Sequence, residues 1–290
     1  MLARIPSKTL AVIAILISIL SVQAGASFSK HLFPLIGAEG TTALRQLFSS
    51  LVLLVLFQPW KGLPDRKHWF IVCLYGAILG VMNLTFYMGI ARVPLGIGVA
   101  IEFLGPLAVA IMGSRRPSDF IWVACALAGL LVLLPWNGTG QTIDMVGALW
   151  CLVAGVCWGV YIIVGQKVSD RVHGGKAVAI GMTFSTLFTL PIGMVVAGAS
   201  MWSSAILPWG IGVAILSSAI PYSLEMMALK HMPAKTFGLM MSLEPAAAAF
   251  LAFLIIGEKL TPLQWLAIAL VIIASAGSSL TAKRAEEIVA

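Results

Sequence analysis

Ten long runs of apolar residues, each nearly free of charge, dominate this chain of 290 residues. A helix that crosses the hydrocarbon core of a bilayer needs about 20 such residues. Ten crossings therefore use about 200 residues and leave only short connections. Charged residues make up 10% of the chain, against about 25% in a soluble domain. This composition excludes a soluble enzyme, a nucleic-acid binder and a secreted disulfide-rich scaffold.

We number the apolar runs as segments 1 to 10 and predict an all-α membrane protein with ten transmembrane helices. Segment 1 also resembles a cleavable signal peptide, because Arg4 and Lys8 precede it and Ala24-Gly25-Ala26 follows its apolar core. The run continues to Phe28 and has a partner later in the chain, which favours a retained first span. The predicted limits are 9–29, 39–57, 69–91, 95–113, 119–135, 144–165, 177–198, 206–229, 235–256 and 262–281.

The distribution of lysine and arginine predicts the orientation in the membrane. With the N-terminus inside, 14 of the 18 basic residues fall on the inner side, three fall outside and Arg45 lies within segment 2. Basic residues concentrate in cytoplasmic loops, so both termini are expected in the cytoplasm. The three outer residues are Lys30, Arg92 and Lys259.

The segment pattern repeats as five plus five. Ala91-Arg92-Val93-Pro94 aligns with Lys230-His231-Met232-Pro233, and the same offset places Pro106 on Pro245. Because five is odd, the second copy would enter the membrane from the opposite face, as in many transporters with inverted repeats. We predict two five-helix repeats, residues 1–140 and 141–290.

Four ionisable residues lie inside the segments: Arg45, Glu102, Glu225 and Glu244. Such groups are unfavourable in lipid and should face the bundle interior or a wet cavity. For Arg45 and Glu102 two interpretations stay open, a fixed ion pair or a site for the carboxylate and the ammonium of a zwitterion. Glu244 is either a neutral, hydrogen-bonded acid or a proton carrier. For Glu225, near the inner end of segment 8, a structural role is favoured over proton coupling.

Prolines inside segments predict kinks, because proline lacks the backbone N–H that a helix needs. Glu102 and Glu244 each have one nearby, in Glu102-Phe-Leu-Gly-Pro106 and Glu244-Pro245, and we expect the freed carbonyls to line a cavity. The candidate hinges are Pro106, Pro221 and Pro245. The candidate substrate-binding residues are Arg45, Glu102, Asn83, Tyr87, Trp158 and Tyr222, and the candidate proton-coupling residues are Glu244 and Glu225.

Enzyme and cofactor motifs are missing from the sequence. Gly174-Gly175-Lys176 lacks the rest of a phosphate-binding loop, and the four cysteines and four histidines show no metal-ligand spacing. We therefore expect no catalytic residue, metal or cofactor. The expected partners are a small-molecule substrate and the lipid bilayer, without nucleic acid; a homodimer is left open.

Several stretches resemble the EamA branch of the drug/metabolite transporter superfamily, and most closely the bacterial threonine/homoserine exporters. They include Thr42-Ala-Leu-Arg45, the run from Val93 to Ala110 around Glu102, and the run from Ile215 to Met226 around Glu225. The Glu244-Pro245 pair is shared more widely in the superfamily. Glu-Pro is expected in both halves, but here Gly105 stands opposite Glu244, so a symmetric proton scheme does not follow.

The resemblance implies export of small amino acids across the inner membrane, with proton exchange and alternating access as the expected mechanism. Related exporters take aromatic amino acids or drugs, so those substrates stay open. An uncoupled facilitator and, more remotely, a membrane-embedded lipid enzyme also stay open.

Overall fold

All regular structure in the described part of the chain is helical, as predicted. The computed structural model describes residues 7–61, 68–112, 119–133, 143–169, 172, 174–229 and 240–289. The helices are α1 Ser7–Ser29, α2 Phe33–Phe57, α3 Trp69–Ile90, α4 Leu95–Glu102, α5 Leu104–Met112, α6 Asp119–Leu133, α7 Met145–Ser169, α8 Gly174–Ala197, α9 Leu207–Ala214, α10 Ile220–Leu229, α11 Glu244–Ile256 and α12 Pro262–Val289.

The helices coincide with the predicted apolar segments. Segments 1 to 3 are α1 to α3, segment 4 is α4 with α5, segments 5 to 7 are α6 to α8, and segment 8 is α9 with α10. Segment 9 contains α11, and segment 10 is α12. Six helical stretches in the described ranges are long and apolar enough to cross a membrane, in segments 1, 2, 3, 6, 7 and 8. Shorter apolar helices occupy segments 4, 5, 9 and 10.

The packing partners of the segments follow a regular scheme. Segment 2 packs on segment 7, segment 4 on segment 9, and segment 5 on segment 10. Segment 3 packs on segment 6, as segment 1 packs on segment 8. Segment 1 also packs on segment 9, as segment 6 packs on segment 4. When five is added to each segment number, with 11 counted as 1, every contact of this scheme becomes another contact of the same scheme.

Two of the predicted prolines coincide with helix interruptions at corresponding places. The helix of segment 4 is interrupted at Phe103, three residues before Pro106, and that of segment 9 at Ser242–Leu243, just before Pro245. Neither proline can donate to the carbonyl four residues earlier. The two interrupted segments cross where Gly96 approaches Ala249, since a Cβ on Gly96 would lie 2.6 Å from that of Ala249.

The expectation that the freed carbonyl of Glu102 lines a cavity is wrong. That carbonyl lies against α7, because a Cβ on Gly155 would lie 2.6 Å from the Glu102 oxygen. A Cβ on Gly105 would likewise clash with the Gly155 carbonyl. The sequence contains two pairs of glycines four residues apart, a spacing that lets helices approach closely. Gly155 and Gly159 pack on segment 4, and Gly76 and Gly80 pack on segment 7.

One end of the bundle carries two ion pairs. Lys30, after α1, pairs with Glu258, which follows α11, and its Nζ also donates to the Val93 carbonyl at 3.1 Å. The other Glu258 oxygen accepts the Leu95 N–H at 2.8 Å, at the first turn of α4. We call Lys30, Val93, Leu95 and Glu258 the clasp. It connects the 1–2, 3–4 and 9–10 loops.

The second ion pair joins Arg92 to Asp144 at 3.2 Å and is exposed. Asp144 also caps α7, because its Oδ1 accepts the Val146 and Gly147 N–H groups at 2.8 and 3.1 Å. The Gly147 N–H, with Arg92 and Val146, holds the pKa of Asp144 below its usual value, against a smaller opposing effect of desolvation.

The opposite end of the bundle carries Lys61 and Lys176, joined by a 2.9 Å bond from the Lys176 Nζ to the Lys61 carbonyl. Many basic residues that the sequence assigns to this end, together with Pro233, lie outside the described residues. These basic residues are Arg4, Arg66, Lys67, Arg115, Arg116, Arg171, Lys230 and Lys235.

Candidate functional site

Arg45 lies buried in α2, with 3% of its surface exposed. Its Nη2 donates to the Asn83 Oδ1, and its Nη1 donates to the Ser218 and Ser217 hydroxyls at 3.3 and 3.5 Å. The Tyr87 ring lies 4.6 Å from the guanidinium carbon, a cation–π contact. All four partners are neutral, and the Nε has no hydrogen-bond partner among the residues that the structure describes.

Pro221 shapes the backbone that brings the two serines to Arg45. Ile215–Ala219 forms a π-helical turn, in which the Ile220 N–H bonds the Ile215 carbonyl. The next such bond would need an N–H at Pro221, which has none. The Leu216 carbonyl instead accepts the Ser21 hydroxyl of α1 at 2.6 Å. Single π turns often occur at functional sites, and this one places Ser217 and Ser218 beside the guanidinium.

Asn83 and Tyr87, two predicted binding residues, hold Arg45 in place. The Asn83 amide nitrogen donates to the Leu79 carbonyl at 2.7 Å, which orients its oxygen towards Arg45. The Tyr87 hydroxyl lies 3.0 Å from the Ser29 hydroxyl, and its ring packs edge-on against Phe33. Both side chains are buried. They connect Arg45 rigidly to α3 and to the end of α1.

Glu102 and Tyr222 lie within electrostatic range of Arg45. The ion pair considered for Arg45 and Glu102 is not formed, because the described residues contain only the Lys30 and Arg92 pairs within 4.0 Å. Glu102 is 8% exposed, at the end of α4. Both side chains are therefore buried in the interior without forming an ion pair with each other.

The other two acids extend this region. Glu244, 6% exposed at the start of α11, lies within electrostatic range of Glu102 and Glu225. Glu225 accepts a 2.7 Å hydrogen bond from the Ser18 hydroxyl and lies within electrostatic range of Tyr222. Three carboxyl groups and one guanidinium thus share the interior of the bundle, contributed by segments 2, 4, 8 and 9.

Trp158 is the predicted binding residue that the structure places apart from Arg45. Its ring packs edge-on against Phe103 at 5.5 Å, at the interruption of segment 4. Ser217 and Ser218 escaped the sequence analysis, although the sequence Ser-Ser before Ala-Ile-Pro221 was a visible signal. Tyr75, whose hydroxyl donates to that of Tyr161 at 2.7 Å, was also missed.

Comparison with known proteins identifies the family. Residues 145–280 match the model of the EamA-like transporter family. The threonine/homoserine exporter RhtA of Salmonella typhimurium strain SL1344 is 48% identical over 279 residues, covering 96% of this chain and 94% of the relative. The RhtA protein of Escherichia coli K12 is 46% identical over the same length and the same shares. The chain belongs to the EamA-like transporter family. It is accordingly a multi-pass membrane transporter, not an enzyme.

The fold recurs in a solved structure of low sequence identity. A crystal structure described only as that of a protein matches with a TM-score of 0.64 and 16% identity, over 94% of this chain and 98% of the other. At this identity the likeness concerns the fold alone.

Proposed function

We propose that this EamA-like transporter exports small amino acids of the threonine and homoserine type across the inner membrane in exchange for protons. The observation that carries the proposal is the buried Arg45, whose charge no carboxylate within ion-pair distance balances. A buried, unneutralised guanidinium is unfavourable, and it is suited to binding a carboxylate through two parallel bonds. The names of the close relatives point to the same substrates.

A zwitterion fits the distribution of charge around Arg45. Arg45 binds the substrate carboxylate, and Glu102, buried and within electrostatic range, binds the ammonium group. Asn83 and Tyr87 position the guanidinium, and Tyr222 faces the same region. Trp158, against Phe103, forms the apolar wall nearest to Glu102.

Alternating access follows from two inverted repeats, residues 1–140 and 141–290. The packing scheme supports this division, because it is preserved when five is added to each segment number. The matched interruptions near Pro106 and Pro245 support hinges at equivalent places in the two halves. Pro221, with its π turn, is the third hinge.

The orientation with both termini in the cytoplasm is supported by the two ends of the bundle. Lys30 and Arg92, assigned to the outer face, are each paired with an acid at the same end. Lys61 and Lys176, assigned to the inner face, meet at the opposite end. The positive-inside rule counts lysines and arginines rather than net charge, so the support comes from the small number of basic residues at the outer end.

The substrate site is tested by threonine and homoserine flux in proteoliposomes. Arg45→Ala and Glu102→Gln should each lower flux at least about 100-fold, as expected when a buried charged contact is lost. Arg92→Ala is the matched control, because Arg92 is an exposed arginine whose only described acid partner lies at the membrane surface. Unchanged flux in both site variants would refute the proposed site.

Proton exchange is tested by imposing a pH gradient on the same vesicles. Glu244→Gln should abolish the response of flux to the gradient while leaving substrate exchange, because a carboxamide binds no proton at these pH values. Glu225→Gln, the second candidate, should weaken the response less, since Ser18 already occupies one oxygen of Glu225. If wild-type flux follows the substrate gradient alone, the protein is an uncoupled facilitator.

A further inference from the structure

Ser217 and Ser218 both accept a hydrogen bond from Arg45, but they differ in the fate of their own protons. The Ser217 hydroxyl donates to the Val213 carbonyl at 2.6 Å, one turn earlier in the helix. The Ser218 hydroxyl is fully buried and has no acceptor among the residues that the structure describes. A hydroxyl that accepts from a guanidinium must direct its own proton elsewhere.

Among the residues that the structure describes, the buried Arg45 Nε–H also has no partner; it lies on another edge of the guanidinium, which Ser218 contacts through Nη1. Buried donors normally have acceptors, and each unsatisfied donor is destabilising by about 1–3 kcal/mol. The neighbouring acids do not fill this role. Neither Glu102 nor Glu244 lies within ion-pair distance of Arg45, and Glu225 is bonded to Ser18.

An unsatisfied hydroxyl donor beside a guanidinium that no described carboxylate neutralises favours an acceptor with a negative charge. A carboxylate has this form, and its oxygens offer about four lone-pair sites. A neutral carboxamide offers one oxygen and adds two N–H donors, which Arg45 cannot accept. The donor set therefore discriminates between an amino acid and its amide.

We infer that Ser218 is a specificity-determining residue that donates its hydroxyl proton to the α-carboxylate of the transported amino acid, beside Arg45. The inference rests on the proposed function, because it assigns a second contact to the same substrate group. It also gives the π turn a role. The turn before Pro221 places Ser218 next to α2, and the Ser21 bond to the Leu216 carbonyl ties that turn to α1.

The test compares Ser218→Ala with Ser223→Ala, which removes a nearby hydroxyl that is not part of the proposed site and whose proton is donated to the Ala219 carbonyl at 2.7 Å. In proteoliposomes, Ser218→Ala should raise the KM for L-threonine about tenfold, equivalent to about 1.4 kcal/mol, with kcat within about twofold. Ser223→Ala should change KM by less than about threefold. Ser218→Cys, similar in size but a weak donor, should fall between wild type and Ser218→Ala.

A competitor separates a carboxylate contact from loss of packing. L-threonine amide should compete at least tenfold more weakly than L-threonine against wild type, and Ser218→Ala should narrow that gap at least threefold. An unchanged gap, or equal KM increases in the two alanine variants, would overturn the role of Ser218. If Arg45→Ala retains full flux, the proposed function itself fails. If Arg45→Ala loses flux but Ser218→Ala keeps the wild-type KM, only the role of Ser218 is refuted.

Discussion

Two basic residues of this transporter lie in apolar surroundings, and they are treated in opposite ways. Lys30, in the clasp, pairs with Glu258 and also donates to the Val93 carbonyl, with 17% and 19% of the paired side chains exposed. Arg45, with 3% exposed, contacts two serines, an asparagine and a tyrosine ring, all neutral. The more deeply buried cation thus has the weaker neutralisation.

On the proposed function, the difference separates a contact that holds one end of the bundle together from a contact that binds the substrate. An ion pair that also accepts a helix N–H satisfies its own charges and stabilises one arrangement of three loops. The guanidinium of the proposed site, held by neutral groups, keeps its charge for the substrate carboxylate at the expense of stability. On the proposed orientation, the clasp closes the outer end of the bundle above the Arg45 site, with Ser29 and Tyr87 between them.

The largest expected effect is the separation of flux from stability at Arg45. Arg45→Gln should lower threonine flux at least about 100-fold yet leave the melting temperature in detergent unchanged within about 2 °C, or raise it, because an unneutralised buried charge is removed. Thermal unfolding followed by tryptophan fluorescence measures the second quantity. A fall of more than about 5 °C would mean that Arg45 is mainly a structural residue and would break the comparison.

Glu258→Gln should show the reverse pattern. Removing one partner of a largely buried pair leaves Lys30 uncompensated, so we expect a loss of about 2 kcal/mol, or about 5 °C in Tm, with flux reduced less than tenfold. The carboxamide oxygen can still accept the Leu95 N–H. Lys30→Met combined with Glu258→Gln should restore most of the Tm, because no unpaired charge remains; failure of this rescue would show that the ion pair is not the stabilising feature.

The smallest effect is expected at the Arg92–Asp144 pair. Because this pair is exposed, it shows how little an ion pair contributes when water solvates both charges. Asp144→Asn keeps the helix cap but loses the charge, so Tm at pH 7 should fall by only about 1–2 °C. Since the pKa of Asp144 is lowered in the folded protein, its contribution is present above the unfolded pKa of about 3.9 and is lost as pH falls through the folded value. The Tm difference between wild type and variant should therefore shrink steadily as the pH falls below about 3.9, and a difference that stays constant over this range would exclude the charge as its cause.

The sequence was sufficient to place the helices, because hydrophobicity over a membrane-length window is a strong local signal. All ten predicted segments carry helices, and the prolines at 106 and 245 mark interruptions. The acids were correctly expected inside the bundle, since Glu102 and Glu244 are both buried. These features depend on single residues or on continuous stretches, which a sequence displays directly.

The contacts between segments could not be predicted in the same way. An ion pair between Arg45 and Glu102 was one of the two interpretations left open by the sequence, but the structure places Asn83 and the Ser217–Ser218 turn at the guanidinium instead. The π turn depends on Pro221 together with the Ser21 bond from α1, residues about 200 positions apart. The direction of the Glu102 carbonyl likewise depends on Gly155, in the other half of the chain.

The contact of Gly105 with Gly155 has a mechanical consequence. A side chain at either position would collide with the backbone of the opposite helix, so at this level segments 4 and 6 are separated only by main-chain atoms. In the proposed alternating-access mechanism, this contact is the pivot of a relative tilt of segments 4 and 6. The two helices then separate at one membrane surface while they approach each other at the other.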